Sequence, residues 1–95
     1  MTDAVWFLYL LRCAGDRIYT GISTDPARRL RDHAAGRGAR FTRAFPPQEL
    51  LAVRPCGTAR EARQHEHHIK QLDPAGKRAL ALSWRETYPA HQPDD

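Results

Sequence analysis

The stretch "RIYTGISTDPARRLRDH", Arg17 to His33, sets a Tyr-x-Gly triplet ahead of a segment in which Arg29 and His33 stand four residues apart. On an α-helix that spacing puts both side chains on one face. Arginine brings a planar fork of donors for anionic oxygens, and histidine a group that titrates near neutrality. The pair suits a site for an anionic substrate, and equally a solvated helix face.

The charge around this pair is one-sided. Arg28, Arg29, Arg31, Arg37, Arg40 and Arg43 are opposed between positions 28 and 43 only by Asp32. Such a strip suits a polyanion, although a solvated arginine-rich surface gives the same pattern. A second cluster, "HEHH" at His65 to His68, invites a zinc reading because His65 and His68 are three apart. The zinc-protease spacing would need its second histidine at position 69, which is Ile69, so a structural zinc site is not expected.

These residues need elements to hold them. "VWFLYLLR" has the look of a strand buried on both faces, "AGD" supplies turn residues, and "RIYTGIS" returns as a second strand. A first helix is expected from Pro26 to Ala35, capped by Thr24 or Asp25, with Pro26 in its first turn and Gly36 ending it. "GRGARFTRAFPP" is expected to be a loop, because glycines and paired prolines interrupt regular structure. "QELLAVRP" reads as a third strand. A capping box at Thr58 and Glu61 opens a helix to Leu72, with Ala62, Ile69 and Leu72 facing the core and His65 alongside. Asp73-Pro74 opens a third helix through Leu82, and the tail from Arg85 is expected to fray although Trp84 and Tyr88 can pack back.

At 95 residues the chain has room for a single domain, here placed at residues 1–83 with a C-terminal tail over 84–95. The run "AVWFLYLL" lacks a basic leader and a small-residue cleavage site, and it is too short to span a bilayer. A reducing, cytoplasmic setting is therefore expected, with Cys13 and Cys56 as packing residues. Nothing in the sequence points to an obligate protein partner, and a monomer is expected.

"FLY" ending at Tyr9, "YTG" from Tyr19 to Gly21, Arg29 and His33 on the next helix and Glu66 on a later one together resemble the GIY-YIG nuclease superfamily. "FLYLLRC", "RIYTGIS", "GRGARFT" and "HEHHIK" are similar, more narrowly, to its small stand-alone bacterial YhbQ-like branch. The resemblance covers roughly residues 5 to 82. Its departures are Phe7 in place of the first glycine, Thr20 in place of isoleucine, and the absence of the late asparagine that many catalytic members use.

The resemblance implies an α/β (α+β) fold, a small three-stranded antiparallel sheet flanked by three helices, with strands Val5 to Arg12, Ile18 to Ile22 and Leu50 to Arg54. It implies a divalent-metal-dependent endonuclease that hydrolyses phosphodiester bonds in DNA, in structured or single-stranded forms, with RNA not excluded. The catalytic residues would be Tyr9, Tyr19, Arg29, His33 and Glu66, converging on one concave face. Glu66 would hold a hydrated Mg²⁺ or Mn²⁺ as the metal ligand. Arg29 would brace phosphate oxygens, one of the two tyrosines would serve as general base, and His33 would relay a proton or orient the attacking water. Arg28, Arg37, Arg40, Thr42, Arg43 and Lys70 would contact nucleic acid, although Lys70, one turn after Glu66, could instead pair with that carboxylate. The other reading is a nucleic-acid-binding module of the same fold without turnover.

Overall fold

The computed structural model describes residues 4–93. The start of the expected 1–83 domain and the terminal Asp94 and Asp95 lie outside the described residues. Strand β1 spans Phe7–Cys13, β2 Arg17–Ser23 and β3 Pro47–Pro55. They form one antiparallel sheet in the order β2-β1-β3, so β1 is central and β2 is an edge. A tight 3-10 turn at Ala14–Asp16 closes the β1–β2 hairpin. The helices are α1 Pro26–Ala34, α2 Arg40–Ala44, α3 Ala59–Ile69 and α4 Pro74–Thr87.

Alternation along β1 makes both faces of the sheet apolar. Leu8 and Leu10 point to one side, where Ile18, Ala52, Ala62 and Ile69 of α3 and Ala81 and Trp84 of α4 complete a core. Tyr9, Leu11 and Cys13 point to the other, with Val53, Tyr19, Phe45, Leu50 and Leu30 of α1. The sheet is therefore a middle layer. Cys13 and Cys56 are buried free thiols that fall in different cores.

Caps set the helix starts. The Asp25 carboxylate accepts from the Arg28 backbone N–H at 3.2 Å, Thr58 Oγ1 from that of Glu61 at 3.2 Å, and Asp73 from that of Gly76 at 2.7 Å. α1 stops just before Gly36, whose φ of +81° only glycine adopts readily.

Four expectations are corrected. The expected loop contains α2, because its glycines and prolines flank Arg40–Ala44 without entering it, and backbone bonds from Arg43 to Ala39 and from Phe45 to Phe41 close the turn. Among the described residues the sheet is thus flanked by four α-helices rather than three. α3 ends at Ile69, leaving Leu72 43% exposed, and His65 is exposed rather than set beside the core. α4 runs on to Thr87 because Trp84 is buried and the Arg85 guanidinium donates to the Leu51 carbonyl at 2.7 Å.

The segment expected to fray is docked as far as Gln92. After a 3-10 turn at Pro89–His91, the Gln92 amide accepts from the Val53 N–H at 3.0 Å and donates to the Val53 carbonyl at 2.8 Å, as a neighbouring strand would. The boundary expected between residues 83 and 84 falls inside α4.

Candidate active site

Tyr9 lies buried in the middle of β1, and its register partner on β2 is Gly21. A Cβ at Gly21 would stand 2.3 Å from both Cζ and the hydroxyl oxygen of Tyr9. The glycine of "YTG" therefore makes room for the phenol that crosses it. Gly21→Ala is expected to destabilise the fold by about 1–3 kcal/mol, because the buried ring has nowhere to move. A urea titration reads this directly, and an unchanged midpoint would mean that the ring has another place to go.

Tyr19 sits two residues before Gly21 on the same sheet face, its ring 6.3 Å from that of Tyr9. It also meets the edge of His33 at 5.2 Å and Phe41 at 5.7 Å.

His33, on α1, is fully buried between two partners. Its Nε2 is 2.9 Å from the Tyr9 hydroxyl and its Nδ1 is 2.7 Å from Thr42 Oγ1. Thr42 Oγ1 in turn donates to the Ala39 carbonyl at 2.9 Å. A carbonyl can only accept, so the single hydroxyl proton of Thr42 is used there, and Oγ1 must accept from His33 Nδ1–H. In the neutral ring Nε2 is then the acceptor, and the Tyr9 O–H donates to it. The tautomer is assigned by this chain of bonds rather than by the ring alone. Gly38 packs flat against the imidazole: a Cβ there would be 1.9 Å from Nδ1.

Burial, then the neighbouring charge of Arg29, holds His33 below the usual imidazole range, with Asp32 opposing weakly. Burial, then Tyr19, pushes the Tyr9 phenol above its ordinary value against the pull of Arg29. Tyr19 is raised as well, first by burial and then by Glu66. Near neutral pH the site thus holds two protonated phenols and a neutral imidazole.

Arg29, one turn before His33, is partly exposed and lies 3.9 Å from the Asp32 carboxylate. Glu66 comes from the other layer. It shares the sheet-facing stripe of α3 with the buried Ala62 and Ile69, whose core lies on the face opposite Tyr9. Its side chain stays 20% exposed and 3.5 Å from Lys70 Nζ. Glu66 comes near enough for its charge to bear on both tyrosines. Tyr9, Tyr19, Arg29 and His33 share one side, and Glu66 approaches from the layer beyond, on the helix that lies against edge strand β2.

Arg28, Arg40 and Arg43 are exposed, and Arg37 is exposed but 3.4 Å from Asp32. Thr42 does not fit the phosphate contact expected of it, because it is buried with its oxygen engaged on both sides. Its part as the partner of His33 had no signal in spacing, since nine residues and a change of element separate the two. Phe41 beside Tyr19 was missed for the same reason.

His65, His67 and His68 are exposed, and no group of three or more potential metal-ligating side chains occurs among the described residues. One partly buried carboxylate is a poor zinc site. It does suit Mg²⁺, which keeps most of its waters and takes further oxygens from a phosphate. No helix among the described residues is long and apolar enough to cross a membrane.

The GIY-YIG catalytic domain model matches residues 5–89. The chain is 46% identical over 88 residues to a UPF0213 protein of Cupriavidus necator, covering 93% of this chain and 96% of that protein. A UPF0213 protein of Cronobacter sakazakii is 45% identical over 75 residues, 79% of each chain. Among solved structures, the solution NMR structure of a UPF0213 protein from Bacillus halodurans is similar with a TM-score of 0.50 and 35% identity, over 82% of this chain and 83% of that one. The tyrosines on β1 and β2, the glycine that admits one of them and the arginine and histidine of α1 thus lie within the matched span, and the chain belongs to the GIY-YIG family of nuclease domains.

Proposed function

We propose that this protein is a divalent-metal-dependent endonuclease that hydrolyses phosphodiester bonds in DNA. The observation that carries the reading is the one-way hydrogen-bond chain from Tyr9 through His33 and Thr42 to the Ala39 carbonyl. With its own proton committed to Nε2, the Tyr9 oxygen is left as an acceptor. It can take a proton from a water as it passes its own to His33, so the phenol acts as base without first becoming phenolate. That suits a tyrosine held protonated and a histidine held neutral.

The remaining residues supply charge. Arg29 presents its fork to the non-bridging oxygens as the water oxygen bonds to phosphorus and the bond to the leaving oxygen breaks. Glu66 would hold Mg²⁺ or Mn²⁺, which supplies Lewis-acid neutralisation of the phosphate and the leaving oxygen. Thr42 fixes the histidine tautomer, and Gly21 and Gly38 keep the two rings in place.

The exposed Arg28, Arg40 and Arg43 offer a track for the strand backbone. Arg40→Ala and Arg43→Ala are each expected to weaken binding to different sequences about equally and to lower the salt slope by about one unit. Binding indifferent to salt would return these arginines to the solvated surface.

Incubating the purified protein with single-stranded, duplex, nicked and branched DNA, and with RNA, in Mg²⁺ or Mn²⁺ tests the reading. Metal-dependent cleavage of at least one DNA form is expected. Binding without cleavage on every form would leave a nucleic-acid-binding module, the outcome to which the missing asparagine points. Cleavage of RNA alone would correct the substrate.

A further inference from the structure

Beside Tyr19, at the outer edge of β2, lies a cleft of about 320 Å³ lined by Ile18, Tyr19, Thr20, Phe41, Lys70 and Lys77. Two of its features have no use in the chemistry above. The first is Lys77, which lines the cleft together with Lys70. Lys77 reaches from α4 and donates to the Ile18 carbonyl at 3.1 Å, which leaves two of its three protons free. Among the described residues no carboxylate pairs with it, and Lys70 is the neighbouring charge. Burial and Lys70 together hold Lys77 below the usual lysine range. Lys70 already has the Glu66 carboxylate at 3.5 Å, so Lys77, half-buried and without a carboxylate among the described residues, is the charge in this cleft that an anion would neutralise.

The second feature is Thr20. It is 1% exposed, and among the described residues its hydroxyl has no hydrogen-bond partner. Buried hydroxyls are ordinarily paired, so an unpaired one in a wall shared with two lysines is a donor in search of an acceptor. Phe41, partly exposed and stacked toward Tyr19, gives the same cleft an apolar wall suited to a sugar or a base.

We infer that this cleft is an anion subsite for the phosphodiester next to the one cleaved, held by Lys77, Lys70 and Thr20 with its sugar or base against Phe41. The inference rests on the nuclease reading for its neighbour, since Tyr19 lines both places. It extends the electropositive surface round the β2 edge to α4, where the arginine strip does not reach. A strand would then be gripped on both sides of the tyrosines.

Binding measured without metal tests the subsite separately from turnover. Fluorescence anisotropy of a labelled single-stranded oligonucleotide in EDTA is followed across a salt series for the wild type, Lys77→Gln and Thr20→Val. Glutamine keeps a donor for the Ile18 carbonyl while removing the charge, and valine keeps the shape of threonine without its hydroxyl. Lys77→Gln is expected to weaken binding about five- to tenfold at low salt and to flatten the salt slope by about one unit. Thr20→Val is expected to weaken it about threefold, in keeping with one lost hydrogen bond.

Wild-type affinity and slope in both variants would overturn the subsite. Should a variant fail to fold, titration of ¹⁵N-labelled wild type with the same oligonucleotide and with inorganic phosphate decides. Shifts at Ile18 to Thr20 and at Lys77 with the oligonucleotide support the subsite. No shift there overturns it, and shifts with phosphate alone reduce it to a free-anion site. A protein that cleaves DNA with an idle cleft refutes this inference only. A protein that grips the strand here and never cleaves refutes the nuclease reading and leaves the cleft as a phosphodiester-binding subsite without a neighbouring scissile bond.

Discussion

Glu66→Gln is expected to lower metal-dependent cleavage by about three orders of magnitude or more while nucleic-acid binding survives or tightens. Glutamine keeps the size of the side chain and removes the charge. Among the described residues Glu66 is the one carboxylate whose charge bears on both Tyr9 and Tyr19. Losing a Lewis acid removes several kcal/mol of transition-state stabilisation, and each ~1.4 kcal/mol is about a tenfold change in rate. Binding moves the other way, because a negative charge beside the phosphate is gone and Lys70, now 3.5 Å from Glu66, is released to bind an anion. Single-turnover cleavage and anisotropy on the same preparation read both effects. Equal cleavage by wild type and variant would place the activity elsewhere, in another site or another protein.

Tyr9→Phe is expected to cost about 10²–10⁴ in the rate of cleavage, the range for loss of a positioned general base. The substitution leaves the ring over Gly21 and removes only the oxygen bonded to His33. It also leaves His33 Nε2 buried without a partner, so about 1–3 kcal/mol of stability should go with it. Tyr19→Phe provides the contrast. Tyr19 meets the imidazole only through ring contact, at 5.2 Å between centroids, so its loss should cost less. If Tyr19→Phe were the more damaging of the two, the base would be Tyr19 and the chain through His33 would be structural.

Much of the scaffold was legible because local chemistry decides it. The apolar run at positions 5–12, the turn at Ala14–Asp16, the caps at Thr58 and Asp73, a first-helix cap at Thr24 or Asp25 that falls at Asp25, and the Arg29–His33 spacing all follow from neighbours within four residues. Long-range packing settled the rest. Nothing local says that α4 should outrun Leu82, since the cause is Trp84 fitting under the sheet. Nothing local says that a five-residue helix forms at Arg40–Ala44, since that turn is tied to α1 through Thr42 and His33.

The candidate site divides along the same line. Tyr9 and Gly21 could be paired in advance by hairpin register, whereas the direction of the hydrogen bonds at His33 depends on Thr42. Lys77 is more remote still: it meets the Ile18 carbonyl across 59 residues, a contact that no local pattern marks.

The central claim is that the proton of the attacking water passes by way of Tyr9 to a neutral His33. The pH dependence of single-turnover cleavage, at saturating Mg²⁺, tests it most directly. His33 must be unprotonated to accept, and burial lowers its pKa from the ordinary imidazole value of about 6.5. The rate should therefore fall as pH drops through a midpoint below about 6.5 and stay level above about pH 7. A base that acted only as phenolate would behave differently, because burial raises the Tyr9 pKa: the rate would keep climbing, about tenfold per pH unit, well past pH 8. An acid-side midpoint below the imidazole range with a flat neutral region is the expected result, and a continuous rise through pH 9, or no cleavage at any pH, would contradict it.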